Sequence, residues 1–161
     1  MKQHTYEVRV DWTGNDGDGT KTYRSYRRDY TIVSEGKLEI HGSSDPSFRG
    51  DRSRYNPEEL LVASLSSCHM LWYLHLCAVN HIAVTDYRDV ASGLMEEDTS
   101  GSGEFVRVVL KPKVKISAGG DRAKAATLHA EAHRLCFIAR SVKFPVDIEP
   151  EIEAAAASEA H

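Results

Sequence analysis

The sequence predicts an α+β fold with mainly antiparallel sheet, and three observations carry that expectation. Apolar residues alternate with period two near the N-terminus and again over residues 104–117. A long apolar run opening at Asn56 carries helix-start signals. A second helical run, rich in Ala and Leu, opens near Arg122. The order is strands, long helix, strands, helix, strand, with hairpin turns inside the strand blocks. That order does not suit an alternating parallel fold.

The residues justify each element in turn. Residues 5–12 alternate moderately and read as a strand, and Gly14 to Gly19 supply turn residues. An extended pattern rich in Tyr, Thr and Ile resumes over residues 22–33, and residues 37–40 alternate again after a turn at Glu35-Gly36. From His41 to Tyr55 the composition turns to Gly, Ser, Asp, Pro and Arg, which predicts an exposed loop. Asn56 then serves as N-cap, Pro57 suits the first helical position, and Glu58 and Glu59 face the positive end of the helix dipole. This helix is expected to run to about Asn80. Strands follow over residues 84–95 and 104–117, separated by a Gly/Ser turn at 100–103. Residues 122–138 read as the second helix and residues 144–148 as a last short strand. Beyond Ile152 no bulky apolar residue remains. The expectation is one domain over residues 1–149 with a flexible, acidic and Ala-rich tail over 150–161.

Composition narrows the functional classes. A chain of 161 residues builds one sizeable core. Its net charge of −4 leaves no electrostatic footprint for nucleic acid. The start, Met1 to Tyr6, lacks the apolar region of a signal peptide. The greasy stretch from Leu60 to Val84 is interrupted by Ser64, Ser66, Ser67, His69, His75, Asn80 and His81, so it reads as a buried helix and not as a membrane span. A cytoplasmic location is expected. Three cysteines, an odd number, argue against a structural disulfide framework.

Helix geometry separates two of those thiols. Cys77 lies nine residues beyond Cys68, on the opposite helix face and roughly 13 Å along the axis. A disulfide needs Cα atoms within about 7 Å, so these two cannot bond in an intact helix, and Cys77 reads as a small buried hydrophobe. Cys68 shares a face with Leu61, Leu65 and Trp72, while Cys136 keeps company with Leu128 and Ala132. Spacing alone leaves both open as core residues or as reactive thiols.

Other motifs carry less. His129 and His133 share a helix face, but no Cys-x-x-Cys or His-Glu-x-x-His spacing is present, so the histidines read as solvated or core residues. The segment from Asp16 to Thr20 imitates a calcium loop, yet Lys21 stands at the turn-glycine position and Arg27 at that of the bidentate acid. It reads as a hairpin turn. The arginines at 24, 27, 28, 49, 52 and 54 read as a solvated edge and loop, or one of them faces a thiol.

The run Asn56-Pro57-Glu58-Glu59-Leu60, with Ser67-Cys68 following and Cys136 further on, resembles the OsmC/Ohr family of thiol-dependent organic hydroperoxide reductases. The resemblance covers roughly residues 25–148, and its first motif, an Asn-Pro-Glu start with Cys68 ten positions after Glu58, is specific. Two positions depart from it: Phe137 follows Cys136 where many relatives have proline, and His69 stands where many carry an aromatic residue. The resemblance implies sheets packed on two long helices in an intertwined homodimer, with sites at the subunit interface. By the same resemblance Cys68 attacks the peroxide and Cys136 resolves the sulfenic acid as a Cys68–Cys136 disulfide. An arginine, Arg28 in preference to Arg27 because it precedes Asp29, assists the thiolate, and Glu58 holds that arginine. Glu58 lies about 15 Å along a straight helix from Cys68, so it must act through a long arginine or from the partner subunit. An external dithiol, such as a lipoyl group, restores the thiols, and no metal or cofactor is implied. The competing reading is a non-enzymatic protein of the same fold that binds small molecules or serves in stress.

Overall fold

The computed structural model describes residues 1–156 and forms two compact units, Met1–Leu61 and Val62–His161. Residues 157–161 of the expected tail lie outside the described residues.

In the first unit, β1 (Arg9–Trp12), β2 (Tyr30–Val33) and β3 (Ile40–Gly42) form an antiparallel sheet in that order. Trp12 lies opposite Tyr30, and Ile32 opposite Ile40. The strands are shorter than the alternation predicts, because side chains capture the backbone between β1 and β2. Asn15 Oδ1 accepts the Gly17 and Gly19 N–H groups, each at 3.0 Å, and Trp12 Nε1 donates to the Arg27 carbonyl at 2.9 Å. Only residues 30–33 of the expected extended run over 22–33 therefore join the sheet. Gly42 lets β3 pass close to the Tyr30 ring, since a Cβ there would stand 2.2 Å from Tyr30 Cζ. The expected loop after it holds one 3-10 turn, Pro46–Phe48, capped by Asp45.

The long helix α1 (Pro57–Val79) opens as its sequence predicts. Asn56 Oδ1 accepts the Glu59 N–H at 2.8 Å, while Glu59 Oε2 accepts the Asn56 N–H at 3.1 Å. This reciprocal pair is a capping box, which satisfies two backbone donors at the helix entry.

In the second unit α1 buries Leu65, His69, Tyr73 and Cys77, a stripe at four-residue spacing. By length and composition α1 would pass for a membrane span. In this fold its stripe belongs to the core. After it come β4 (Val84–Asp89), β5 (Ser92–Glu97), β6 (Gly103–Leu110), β7 (Pro112–Ile116), α2 (Arg122–Leu135), β8 (Val146–Ile148) and β9 (Glu151–Ala154). They build two sheets, ordered β4-β7-β9 and β5-β6-β8. The pairs β4–β7 and β5–β6 are antiparallel, whereas β8 runs parallel to β6 and β9 parallel to β7. The sheets are therefore mixed, since the chain returns through α2 before adding its last strands.

Two predicted strands each break in two. The runs over 84–95 and 104–117 switch sheets at Val90-Ala91 and at Lys111. Asp89 fastens this double switch: its Oδ1 accepts the Lys111 N–H at 2.7 Å and its Oδ2 accepts the Ser66 hydroxyl at 2.5 Å. The expected flexible tail is also corrected over Glu151–Ala154. There β9 pairs with β7 from Lys113 to Ile116, and Ile152 packs on the core formed by Tyr73, Cys77, Val114, Ile116 and Leu128.

Candidate functional site

Cys68 sits one position before the buried His69, at the edge of the core stripe and not within it. With Leu71, Trp72, His75 and Phe137 it lines a pocket of about 380 Å³. The walls are mainly apolar: Trp72 meets Phe137 edge to face with ring centroids 5.5 Å apart, and His75 in the same manner at 5.9 Å. Leu71 and Phe137 are largely exposed, at 62% and 66%. The sequence expectation of a thiol on the apolar face is thus corrected to a thiol at its rim, open to a greasy recess.

Cys136 is not on the second helix, as its Ala- and Leu-rich surroundings predict. It caps the C-terminus of α2, with extended backbone (φ −63°, ψ 112°). Two residues further on the 3-10 turn Ala139–Ser141 begins after Ile138, and the Cys136 sulfur accepts the Ala139 N–H at 3.4 Å. Only 1% of Cys136 is exposed. Burial pushes its thiol up to about 11; the Ala139 N–H opposes that rise and the neighbouring Cys68 thiol adds to it. Cys68 and Cys136 are therefore adjacent free thiols of unequal access, while Cys77 is buried beside Tyr73 and is not among the residues that line the pocket.

The remaining expected residues belong to the first unit. The Arg28 guanidinium lies 3.9 Å from the Tyr26 ring centroid and 4.5 Å from that of Tyr23. It also donates to the carbonyls of Tyr26 at 2.6 Å and Tyr23 at 2.7 Å. Its place before Asp29 proves no guide, since Asp29 pairs with Arg27, which also binds Asp16 at 3.0 Å. Glu58 adds its charge to burial in raising the Tyr30 phenol. Among the described residues no ion pair joins Glu58 to Arg27 or Arg28.

One buried arrangement escapes the sequence reading. His69 Nε2 and His129 Nδ1 lie 3.0 Å apart, and the His129 ring stacks on Tyr73 with centroids 3.8 Å apart. Burial chiefly, and the charge of a neighbouring histidine, hold the two imidazoles neutral, His69 down to about 4 and His129 down to about 3. The available signal was a histidine inside an apolar helical run, which does not name its partner sixty residues away.

Comparison with known proteins agrees with this architecture. Residues 50–151 match the sequence profile of the family described as OsmC-like protein. An OsmC-like protein of unknown function from Vibrio cholerae is 31% identical, covering 95% of this chain and 100% of that one, with a TM-score of 0.79. An organic hydroperoxide resistance protein from Elizabethkingia anophelis superposes with a TM-score of 0.66 at 17% identity, over 96% of this chain and 100% of that one. The organic hydroperoxide resistance protein OhrB of Bacillus subtilis gives 0.56 at 22% identity, over 92% and 98%. At those identities the last two show the fold alone. No curated protein matches the sequence. A profile match over well over half the residues, joined to a relative of nearly full coverage, settles the assignment: the chain belongs to the OsmC-like family.

Proposed function

We propose that the protein is a thiol-dependent peroxidase that reduces organic hydroperoxides to alcohols. The observation that carries this reading is the pair of adjacent free thiols, one opening on an apolar pocket and the other buried behind it. Thiolate is the attacking form, and its sulfur displaces the alcohol from the peroxide oxygen, leaving a sulfenic acid. That step falls to Cys68, which the pocket makes accessible. The buried Cys136 then condenses with the sulfenic acid, forms the Cys68–Cys136 disulfide and releases water. A thiol near 11 is deprotonated only about one part in ten thousand at neutral pH, but a neighbour's effective molarity of roughly 10⁵ M or more outweighs that loss. The high value also suits a resolver, which should stay inert until its partner has reacted.

Family resemblance supports the rest of the assembly. In an intertwined homodimer the Arg28 guanidinium would favour the thiolate and polarise the peroxide, with Glu58 to hold it. The exposed apolar residues Val10 and Trp12 are in keeping with a subunit that buries more surface on assembly. Two solved structures of the same fold are described as organic hydroperoxide resistance proteins. The reductant is an external dithiol, as the cytoplasm supplies, and a lipoyl group is one of the right kind. Turnover of cumene hydroperoxide with a dithiol, exceeding that of hydrogen peroxide, is the expected result. A protein that binds cumyl alcohol yet shows no dithiol-dependent turnover would instead be the non-enzymatic binding protein, a reading the apolar pocket also favours.

A further inference from the structure

The pocket holds a second ionisable group besides the Cys68 thiol. His75 lines the recess together with Cys68, Leu71, Trp72 and Phe137. It stands seven residues beyond Cys68 on α1, within about 20° of the same helix face and roughly 10 Å further along the axis. Leu71 and Trp72 occupy the turn between them, so an apolar floor joins a thiol at one end to an imidazole at the other. Among the described residues the His75 ring meets Trp72 edge to face, 5.9 Å between centroids, and no side chain hydrogen-bonds to it.

Resting on the peroxidase reading, we infer that His75 is a specificity-determining residue: it holds the carboxylate of a hydroperoxide whose reactive end reaches Cys68 across Leu71 and Trp72. An extended chain advances roughly 1.2 Å per bond, so about eight bonds between carboxylate and peroxide match the spacing. The hydrocarbon between them lies on the apolar floor, and Phe137, edge to face with Trp72, walls its side.

The charges around the ring leave this role open to it. Cys68 and His75 are the titratable groups that line the pocket. One turn either side of His75 on α1 stand Leu71, Trp72, Ala78 and Val79, none charged, and the segment after α2 contributes Phe137. No fixed charge of the pocket wall therefore competes for an anionic tail. Imidazole ordinarily changes charge between about pH 5 and 8, whereas an aliphatic carboxylate stays largely ionised over most of that range. The attraction strengthens as the solution is acidified. Thiolate chemistry runs the other way, since the attacking form becomes scarcer.

An acid and its methyl ester separate the two effects, because both react with the same thiolate. The probes are a straight-chain acid of about eight carbons with the hydroperoxide on its far end, its ester, and the same pair at about four carbons. Stopped-flow peroxide consumption in a single turnover of the full-length protein gives the acid-to-ester rate ratio. For the longer pair that ratio should rise about threefold to fivefold as pH falls from about 8 to about 5.5, the scale of one exposed ion pair. His75→Phe, which keeps a ring against Trp72, and His75→Gln should both flatten it. His75→Arg should hold it high at every pH, which mere support of Trp72 would not do. A flat ratio in the native protein, or an unchanged slope in His75→Gln, overturns the inference. So does an equal rise with the short pair, which cannot span the floor. If no hydroperoxide is consumed at all, it is the peroxidase reading that fails. The corresponding longer hydroxy acid and hydroxy ester, titrated against the His75 imidazole signals by NMR, then still decide the matter: a preference for the acid that grows at low pH upholds the role of His75, and no preference overturns it.

Discussion

His69 on α1 and His129 on α2 share one hydrogen bond, 3.0 Å from Nε2 to Nδ1, in a setting where both residues are almost wholly buried. Only one ring can donate, so the bond requires at least one neutral imidazole to act as acceptor. It joins the helix position next to Cys68 to the helix that ends at Cys136.

Stability should therefore fall in acid. Both histidines titrate lower in the folded protein, about 4 for His69 and about 3 for His129, than the ordinary 6.5. Between those values and 6.5 the unfolded chain binds more protons, so the contribution is complete above about pH 6.5 and lost as pH falls towards 4 and 3. For His69 alone the loss is on the order of 3 kcal/mol. Urea unfolding measured across this window should show it, and a His69→Phe, His129→Leu double variant should show a shallower slope. An equal slope in that variant would count against the pair as its source.

Single replacement should be worse than double. His129→Leu leaves His69 Nε2 buried without a partner, a penalty of about 1–3 kcal/mol, whereas replacing both rings removes the orphan. A double-mutant cycle by thermal or urea unfolding should give a coupling energy of the sign that makes the double variant less damaged than the sum of the singles.

The two thiols should separate cleanly in kinetics. Cys68→Ser is expected to abolish peroxide consumption, and Cys136→Ser to consume about one equivalent per subunit and stall as a sulfenic acid trappable by dimedone. Retained first-turnover activity in Cys68→Ser would remove the peroxidase reading.

Arg28→Met should slow the first step without preventing it, because the thiol remains but its proposed charge partner is lost. Stopped-flow peroxide consumption in a single turnover measures this. Arg27→Met, which breaks the pairs with Asp16 and Asp29, should instead loosen the first unit and leave that rate unchanged; the opposite pattern would transfer the role to Arg27.

Asn56→Ala should destabilise the protein by about 1 kcal/mol, up to about 2, by removing one arm of the capping box. Thermal unfolding checks this, and Asn56→Asp should recover most of the loss.

What was legible in the sequence was local. Asn56, Pro57 and Glu59 announce the start of α1 because a helix entry is built from neighbouring residues. The opposed faces of Cys68 and Cys77 follow from helical periodicity in the same way. The end of α2 was not legible, since Phe137, Ile138 and Ala139 prolong a helical composition past Cys136, where the backbone turns extended. The sheet switch at Asp89 escaped because period two continues through Lys111, and only the bond from that residue's N–H to a distant carboxylate marks the break. The nearness of Cys68 to Cys136 and of His69 to His129 belongs to tertiary packing. Spacing along the chain does not encode it, and for the thiols the family resemblance supplied what periodicity lacked.

The strand at Glu151–Ala154 also acts as a guard for the sheet it completes. With β9 in place, β7 is central and its backbone groups are paired on both sides. A chain cut at Glu149 would leave β7 as a bare rim, its Val114 and Ile116 stripped of a flanking strand and open to pairing with another molecule. Shortened versions that keep both thiols intact would then be prone to aggregate, and the loss would come from the sheet margin, far in sequence from the chemistry.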